Sequence, residues 1–324
     1  MFRFRKRAPL ESPRASTADV DARALLARIA WTSAKRLDGF LQGDYRTLFR
    51  GAGLMFADLR EYTPQDDVRH IDWNVTARMQ TPFVRQYEED RELAAWFVVD
   101  LSPSLAFGSQ TRTKRLVAAE TIAALGHLMT QRGNRVGAII DRGVDTPEIL
   151  PARSSRQHLP RILQRVLKAP LADSPGVTNL NAVLLRSARL IQPRSAVFVL
   201  SDFYAQTSWD RGLTMLAKRH DVIGIRLIDP LERALPDMGM LTMRDPETGE
   251  QVFLDTSDAA FRQRFEAQVQ IHEAQLLATL QKAGVDCLEL DTESPVHDGL
   301  IRFIRQRELF TRTTAHGGQG ATRV

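Results

Sequence analysis

At 324 residues, 43% of them hydrophobic and 26% charged, the chain has the composition of a globular protein that can bury a large core in one to three domains. Net charge is +5, from 44 basic and 39 acidic residues, and much of the excess sits at the ends, in Arg3, Arg5, Lys6, Arg7 and Arg14 and in Arg312 and Arg323. That excess suits solubility and flexible tails first, and weak peripheral contact with an anionic membrane surface second. Nucleic acid is not an expected partner, because no aromatic-interleaved basic motif or zinc-ligand spacing accompanies the charge.

Cys287 is the single cysteine, so an internal disulfide is excluded and a reducing compartment fits. It lies in a strand-like run, Val285 to Leu290, where packing is the expected role. No stretch approaches about 18 consecutive apolar residues. The start, Met1 to Arg7, has charge but no apolar core of a secretory signal. A cytoplasmic location is the expectation.

Residues 1–18 read as a disordered basic tail punctuated by Pro9 and Pro13. Residues 19–92 form an N-terminal extension, opening on a helix capped by Asp19 or Asp21 that carries Leu25, Leu26, Ile29 and Trp31. Within it, Leu59 to Arg78 interleaves both signs of charge with Tyr62, Ile71 and Trp73.

Residues 93–310 then alternate strand and helix patterns. The apolar run Ala94–Val99 is a strand, followed by a helix from about Thr113 to Gln131. Val136–Ile140 is the next strand, Glu148–Leu150 a short edge strand, and Ser155 opens a helix holding Leu159, Ile162, Leu163 and Val166. Asn179 or Asn181 opens another helix. Ala196–Leu200 is a strand, then comes a helix through Leu213 and Leu216, and Val222–Ile228 is a further strand. A hairpin at about 239–256 interrupts the alternation. A long amphipathic helix from about Asp258 to Ala283 follows, then the strand around Cys287 and a last helix with Leu300, Ile301, Phe303 and Ile304. Residues 311–324 read as a second disordered tail. Such alternation predicts an α/β fold, a mainly parallel sheet with helices on both faces.

The chemistry concentrates at strand ends. Asp100-Leu101-Ser102-Pro103-Ser104 follows the first apolar strand, and side chains two apart on an extended chain face one point. All three are hard oxygen donors suited to Mg²⁺ or Mn²⁺. Thr178, just before a helix, and Asp202, at the end of another strand, offer two more. Oxygen ligands at successive strand ends meet at the carboxyl edge of a parallel sheet, where open α/β sheets place their sites.

This set, Asp100, Ser102, Ser104, Thr178 and Asp202, resembles the metal-ion-dependent adhesion site of von Willebrand factor A domains. The resemblance implies a Rossmann-like fold and a Mg²⁺ (or Mn²⁺) ion that leaves one position for an acidic residue of a partner. Gly176-Val177-Thr178-Asn179 stands where that family often has Gly-Gly-Thr-Asp, a stiffer loop with one carboxylate fewer.

The stretch from Leu59 to Arg78, read with the strand into Asp100, is similar to the signature of the domain of unknown function 58 family. Leu59, Arg60, Tyr62, Asp66, Asp67, Arg69, Ile71, Asp72, Trp73, Ala77 and Arg78 match it, and Gln65 replaces its usual Gly. The resemblance extends to the hairpin and the long helix. It implies a von Willebrand factor A-like domain with an N-terminal extension. It also implies work with a MoxR-type AAA+ ATPase and other von Willebrand factor A proteins, in chaperone-like maturation or remodelling of an unnamed client. Three uses of the charged signature stay open. Arg60, Arg69 and Arg78 can pair with Asp66, Asp67 and Asp72 while Tyr62 and Trp73 pack on the sheet; the same surface can dock a partner; or its carboxylates can act in catalysis. His70 reads as a solvated or salt-bridged histidine. For the oxygen cluster itself, a metal-dependent hydrolase is the alternative to an adhesion module, and an ion-independent adaptor docking through Leu59–Arg78 is the third reading.

Overall fold

The computed structural model describes residues 24–27, 59–63, 68, 71–85, 94–143, 146–170, 179–204, 208–244 and 251–317. The first described elements are a helical turn at 24–27, strand β1 (Leu59–Glu61), helix α1 (Trp73–Met79) and strand β2 (Phe83–Arg85). β1 and β2 pair antiparallel, and Ile71 bridges to Val84. Asp72 caps α1, its Oδ1 accepting the Val75 N–H at 3.3 Å.

The main sheet has the spatial order β10-β7-β6-β3-β4-β5, built from β3 (Ala94–Asp100), β4 (Arg135–Asp141), β5 (Glu148–Arg153), β6 (Ala196–Ser201), β7 (Asp221–Ile228) and β10 (Asp286–Asp291). All neighbours are parallel except the edge strand β5, which runs antiparallel to β4. Counted along this sheet alone, that is the doubly wound order 3-2-1-4-5-6, with the third strand reversed. The expected α/β, Rossmann-like architecture is therefore present.

Both faces are covered, which explains why the strands read as near-continuous apolar runs rather than alternating ones. On one face Phe97, Val99, Phe198 and Ile225 pack under α2 (Lys114–Gln131), α3 (His158–Lys168) and α7 (Val296–Gly317). On the other Val98, Val197 and Val199 pack under α4 (Leu180–Leu190), α5 (Asp210–Ala217) and α6 (Ala259–Ala283). Neighbouring residues of one strand thus feed opposite cores.

The helix ends follow from local chemistry. Thr113 caps α2, accepting from Leu116 N. Asn179 caps α4, its Oδ1 accepting the Ala182 N–H at 3.0 Å. Asp258 opens α6, and Gly284 ends it in the left-handed region at φ 67°. The hairpin is β8 (Met240–Arg244) paired antiparallel with β9 (Gln251–Asp255). Helix α7 continues to Gly317, past the Thr311 boundary expected for the tail. No proline interrupts residues 311–316, so the helix runs on to the glycine. Residues 1–18 and 318–324 lie outside the described residues. Among the described residues no helix is long and apolar enough to cross a membrane.

Candidate functional site

β3 is the switch point of the sheet. The chain leaves it over one face toward β4 and returns over the other toward β6, so a crevice opens at the carboxyl ends of β3 and β6. Asp100 closes β3, and Asp202 follows Ser201, the last residue of β6. Both carboxylates are buried there, as are Ser102 and Ser201.

Each donor is held in place. Asp100 Oδ1 accepts the Ser102 N–H at 2.9 Å, and Oδ2 accepts the Ser201 hydroxyl at 2.8 Å. Ser201 Oγ in turn accepts the Phe203 N–H at 2.9 Å. The Ser102 and Ser104 hydroxyls lie 2.9 Å apart, and Ser104 hydrogen-bonds Asp202. Asp202 Oδ1 accepts the Tyr204 N–H at 3.1 Å. The turn carrying Asp202 is strained: Phe203 sits at φ 59°, left-handed for a bulky residue, and is held by burial against Trp209, ring centroids 5.1 Å apart.

The structure brings Asp100, Ser102, Ser104 and Asp202 together as expected. Thr178 lies outside the described residues. Among the described residues no three His, Cys, Asp or Glu side chains converge on one point, so the cluster is a hydroxyl-rich one with two central carboxylates.

A buried lysine completes it. Lys114, the first residue of α2, is fully buried and places Nζ 2.9 Å from Asp202 Oδ2 and 2.7 Å from Glu232 Oε1. Burial drives Asp100 up to about 7, and the neighbouring Asp202 charge adds to the rise. Burial also acts on Asp202, but the Lys114 ammonium outweighs it, and with hydrogen bonds from Ser104 and Tyr204 N–H holds Asp202 below the usual carboxylate range. Burial would lower Lys114; Asp202 and Glu232 overcome this and raise it. Glu232 is raised by burial, against the pull of Lys114. Asp141, beside Asp100 in register across β3 and β4, is also pushed up by burial.

These donors suit a hard dication by type: two carboxylates and two hydroxyls, with Asp100 short of positive charge. Asp202 already has a cation. An ion would therefore be held from the Asp100, Ser102 and Ser104 side, with Lys114 competing for Asp202.

Sequence reasoning missed Lys114, Asp141, Ser201 and Glu232. Asp141 carried the same signal as Asp100, a carboxylate ending an apolar strand. Lys114 carried a subtler one, a cation in a helix's first turn, where the macrodipole disfavours it. Glu232 was disguised as the capping partner of Asp229, a role it does fill.

The charged signature is described only in part. Asp66, Asp67, Arg69 and His70 lie outside the described residues. Arg60 sits on β1 and pairs through its backbone register with Val84. Tyr62 is half-buried and donates its N–H to Pro82 O at 2.8 Å. Asp72 is buried and Arg78 exposed. Trp73 departs from the packing expectation: it is 69% exposed. It opens α1, where Val75 and Thr76 are partly buried, with Thr76 Oγ1 accepting the Phe83 N–H at 3.1 Å.

A family model described as "Protein of unknown function DUF58" matches residues 58–275. The chain belongs to that family. It is also similar to an uncharacterised protein, Rv1480, of Mycobacterium tuberculosis, 37% identical over 286 residues that cover 88% of this chain and 89% of the relative. An uncharacterised Mycobacterium avium protein, MAV169, is 30% identical over 158 residues, 49% of this chain and 93% of its own length. Among solved structures, the conserved hypothetical protein BatB of Bacteroides thetaiotaomicron aligns over 67% of this chain and 98% of its own, at 15% identity and a TM-score of 0.43. The SpRpn10 VWA domain aligns over 65% and 94%, at 12% identity and a TM-score of 0.37.

Proposed function

We propose that this DUF58 protein is a metal-dependent protein-interaction module. In this reading the edge formed by Asp100, Ser102, Ser104 and Asp202, with Thr178, holds Mg²⁺ or Mn²⁺ and takes an acidic side chain from a partner. The observation that carries it is the convergence of those four described donors at the switch point, with Asp100 buried and lacking a counter-charge. The partner class we propose is a MoxR-type AAA+ ATPase, or a von Willebrand factor A protein working with it, in maturing or remodelling a client.

A specific observation supports a second reading. Lys114 already neutralises Asp202, and Trp73, Val68 and Met79 are exposed on the N-terminal extension. An adaptor that docks through that extension and needs no ion uses those features instead. Affinity capture with purified MoxR-type ATPase, in Mg²⁺ and in EDTA, separates the two. Retention by wild type in Mg²⁺, lost in EDTA and in Asp100→Ala, supports the metal-dependent module. Retention that ignores ion and mutation but is lost in Trp73→Ala supports the adaptor.

A further inference from the structure

A second concave surface lies away from the sheet-edge cluster, between β5 and α3. It is a groove of ≈ 1110 Å³, and its lining includes Arg142, Arg153, Arg156, Arg161, Arg165 and Lys168. Glu148 is the one carboxylate lining it among the described residues, and it is already taken by Arg165, with Nε 3.1 Å from Oε1. That pair shows the face reading a carboxylate, and no other carboxylate among the described residues lines the groove.

Two buried polar atoms under the groove lack partners among the described residues. His158 is 6% exposed, and its Nε2 has no hydrogen-bond partner among the described residues. Burial, with Arg153 and Arg161 nearby, favours the neutral form of its ring. The buried Nε of Arg142 likewise has no partner among the described residues. Both atoms lie beneath the lining, so it is the cations at the surface of the groove that a ligand meets.

The cations have a register. Arg161, Arg165 and Lys168 stand at i, i+4 and i+7 of α3, on one face of the helix. At a rise of about 1.5 Å per residue, Arg161 and Arg165 are about 6 Å apart along the axis. Alternate residues of an extended strand are about 6.6 Å apart on one face. Helix α3 has 11 residues, so the groove takes roughly five extended residues. On the other wall, β5 is an edge strand whose outer side pairs with nothing among the described residues.

We propose that this groove binds an extended acidic peptide segment, with Asp or Glu at alternate positions on Arg161, Arg165 and Lys168. The chain's own N-terminal tail is excluded as occupant by its like charge (Arg3, Arg5, Lys6, Arg7). The concavity disfavours a flat membrane.

The test is fluorescence anisotropy on the full chain with labelled Glu-Ser-Glu-Ser-Glu-Ser. Its controls are Glu-Glu-Glu-Ser-Ser-Ser, Gln-Ser-Gln-Ser-Gln-Ser and phosphatidylserine vesicles. We expect the alternating peptide to bind best, and Arg161→Glu/Arg165→Glu to weaken it by about tenfold or more, one such step per 1.4 kcal/mol lost. Arg156→Glu, which leaves the helix and the Glu148 pair intact, should weaken it in the same direction. The Asp100→Ala variant and EDTA should change nothing, which separates this groove from the sheet-edge site. Equal affinity for the block or neutral peptide, unchanged binding by the charge-reversed variants, or binding of vesicles without peptide would overturn the proposal.

Discussion

The Lys114 ammonium lies 2.9 Å from Asp202 Oδ2, with both side chains almost fully buried. Lys114 reaches it from the first turn of α2, while Asp202 follows the last residue of β6 in the crevice beside Asp100. The pair divides the two carboxylates: Asp202 is held ionised by its lysine, while Asp100 rises to about 7 because burial and Asp202 are not offset there. A dication entering beside Asp100 meets a site with one anion in need of charge and one already served.

Removing Lys114 strands both partners. Lys114→Met should destabilise the protein by about 3–5 kcal/mol, because Asp202 and Glu232 lose their buried counter-charge. Urea unfolding measures it. With Mg²⁺ added, the variant should regain more stability than wild type, since the ion then takes over at Asp202. A Mg²⁺ response no larger than that of wild type would contradict competition between lysine and metal.

Trp73 separates docking from folding. At 69% exposure it contributes little packing, so Trp73→Ala should shift stability by no more than about 0.5 kcal/mol. If the extension docks a partner, the same variant weakens capture. Thermal melting and partner affinity, measured on one preparation, give both numbers.

Cys287 should be inert. Burial pushes its thiol up to about 12, and the Glu289 charge adds to the rise, so thiolate is scarce near neutrality. A colorimetric thiol reagent at pH 8 should react slowly with the native protein and fast in denaturant. Fast native reaction would place the thiol in a different environment.

His220 gives the acid limb. Burial, with Arg219 alongside, lowers its affinity for a proton in the folded state. The unfolded chain then binds more protons below about pH 6.5, so this contribution to stability is fully present above that pH. It is lost as pH falls toward the depressed folded value. His220→Gln should flatten the slope of unfolding free energy between pH 6.5 and 5.

The close approach of α4 and α5 depends on Gly212. A Cβ there would lie 2.8 Å from Leu184 Cβ and 2.9 Å from the Asn181 carbonyl oxygen. Gly212→Ala should cost about 1–3 kcal/mol by overpacking, read by chemical denaturation.

The sheet was legible because its strands are buried on both faces and so appear as unbroken apolar runs ending in Asp100, Asp141 or Ser201-Asp202. Caps at Thr113, Asn179 and Asp258 marked the helices well, since the capping side chain is itself the signal. Half of the site was legible for the same reason: Asp100, Ser102 and Ser104 are neighbours in sequence and stay neighbours in space. Lys114 was not, because it comes from a different element and only the closed fold sets its ammonium beside Asp202. Whether Trp73 packs or stays exposed was not legible: its aromatic bulk suggests burial, whereas its position at the first residue of α1 leaves it outside the face that packs.

The most direct measurement is calorimetric titration of Mn²⁺ into the wild type, Asp100→Ala and Lys114→Met, each checked for folding by circular dichroism. We expect saturable one-site binding by wild type, loss of that binding in Asp100→Ala, and tighter binding in Lys114→Met. No saturable binding by wild type, or binding indifferent to Asp100, would contradict a metal-dependent site at this sheet edge.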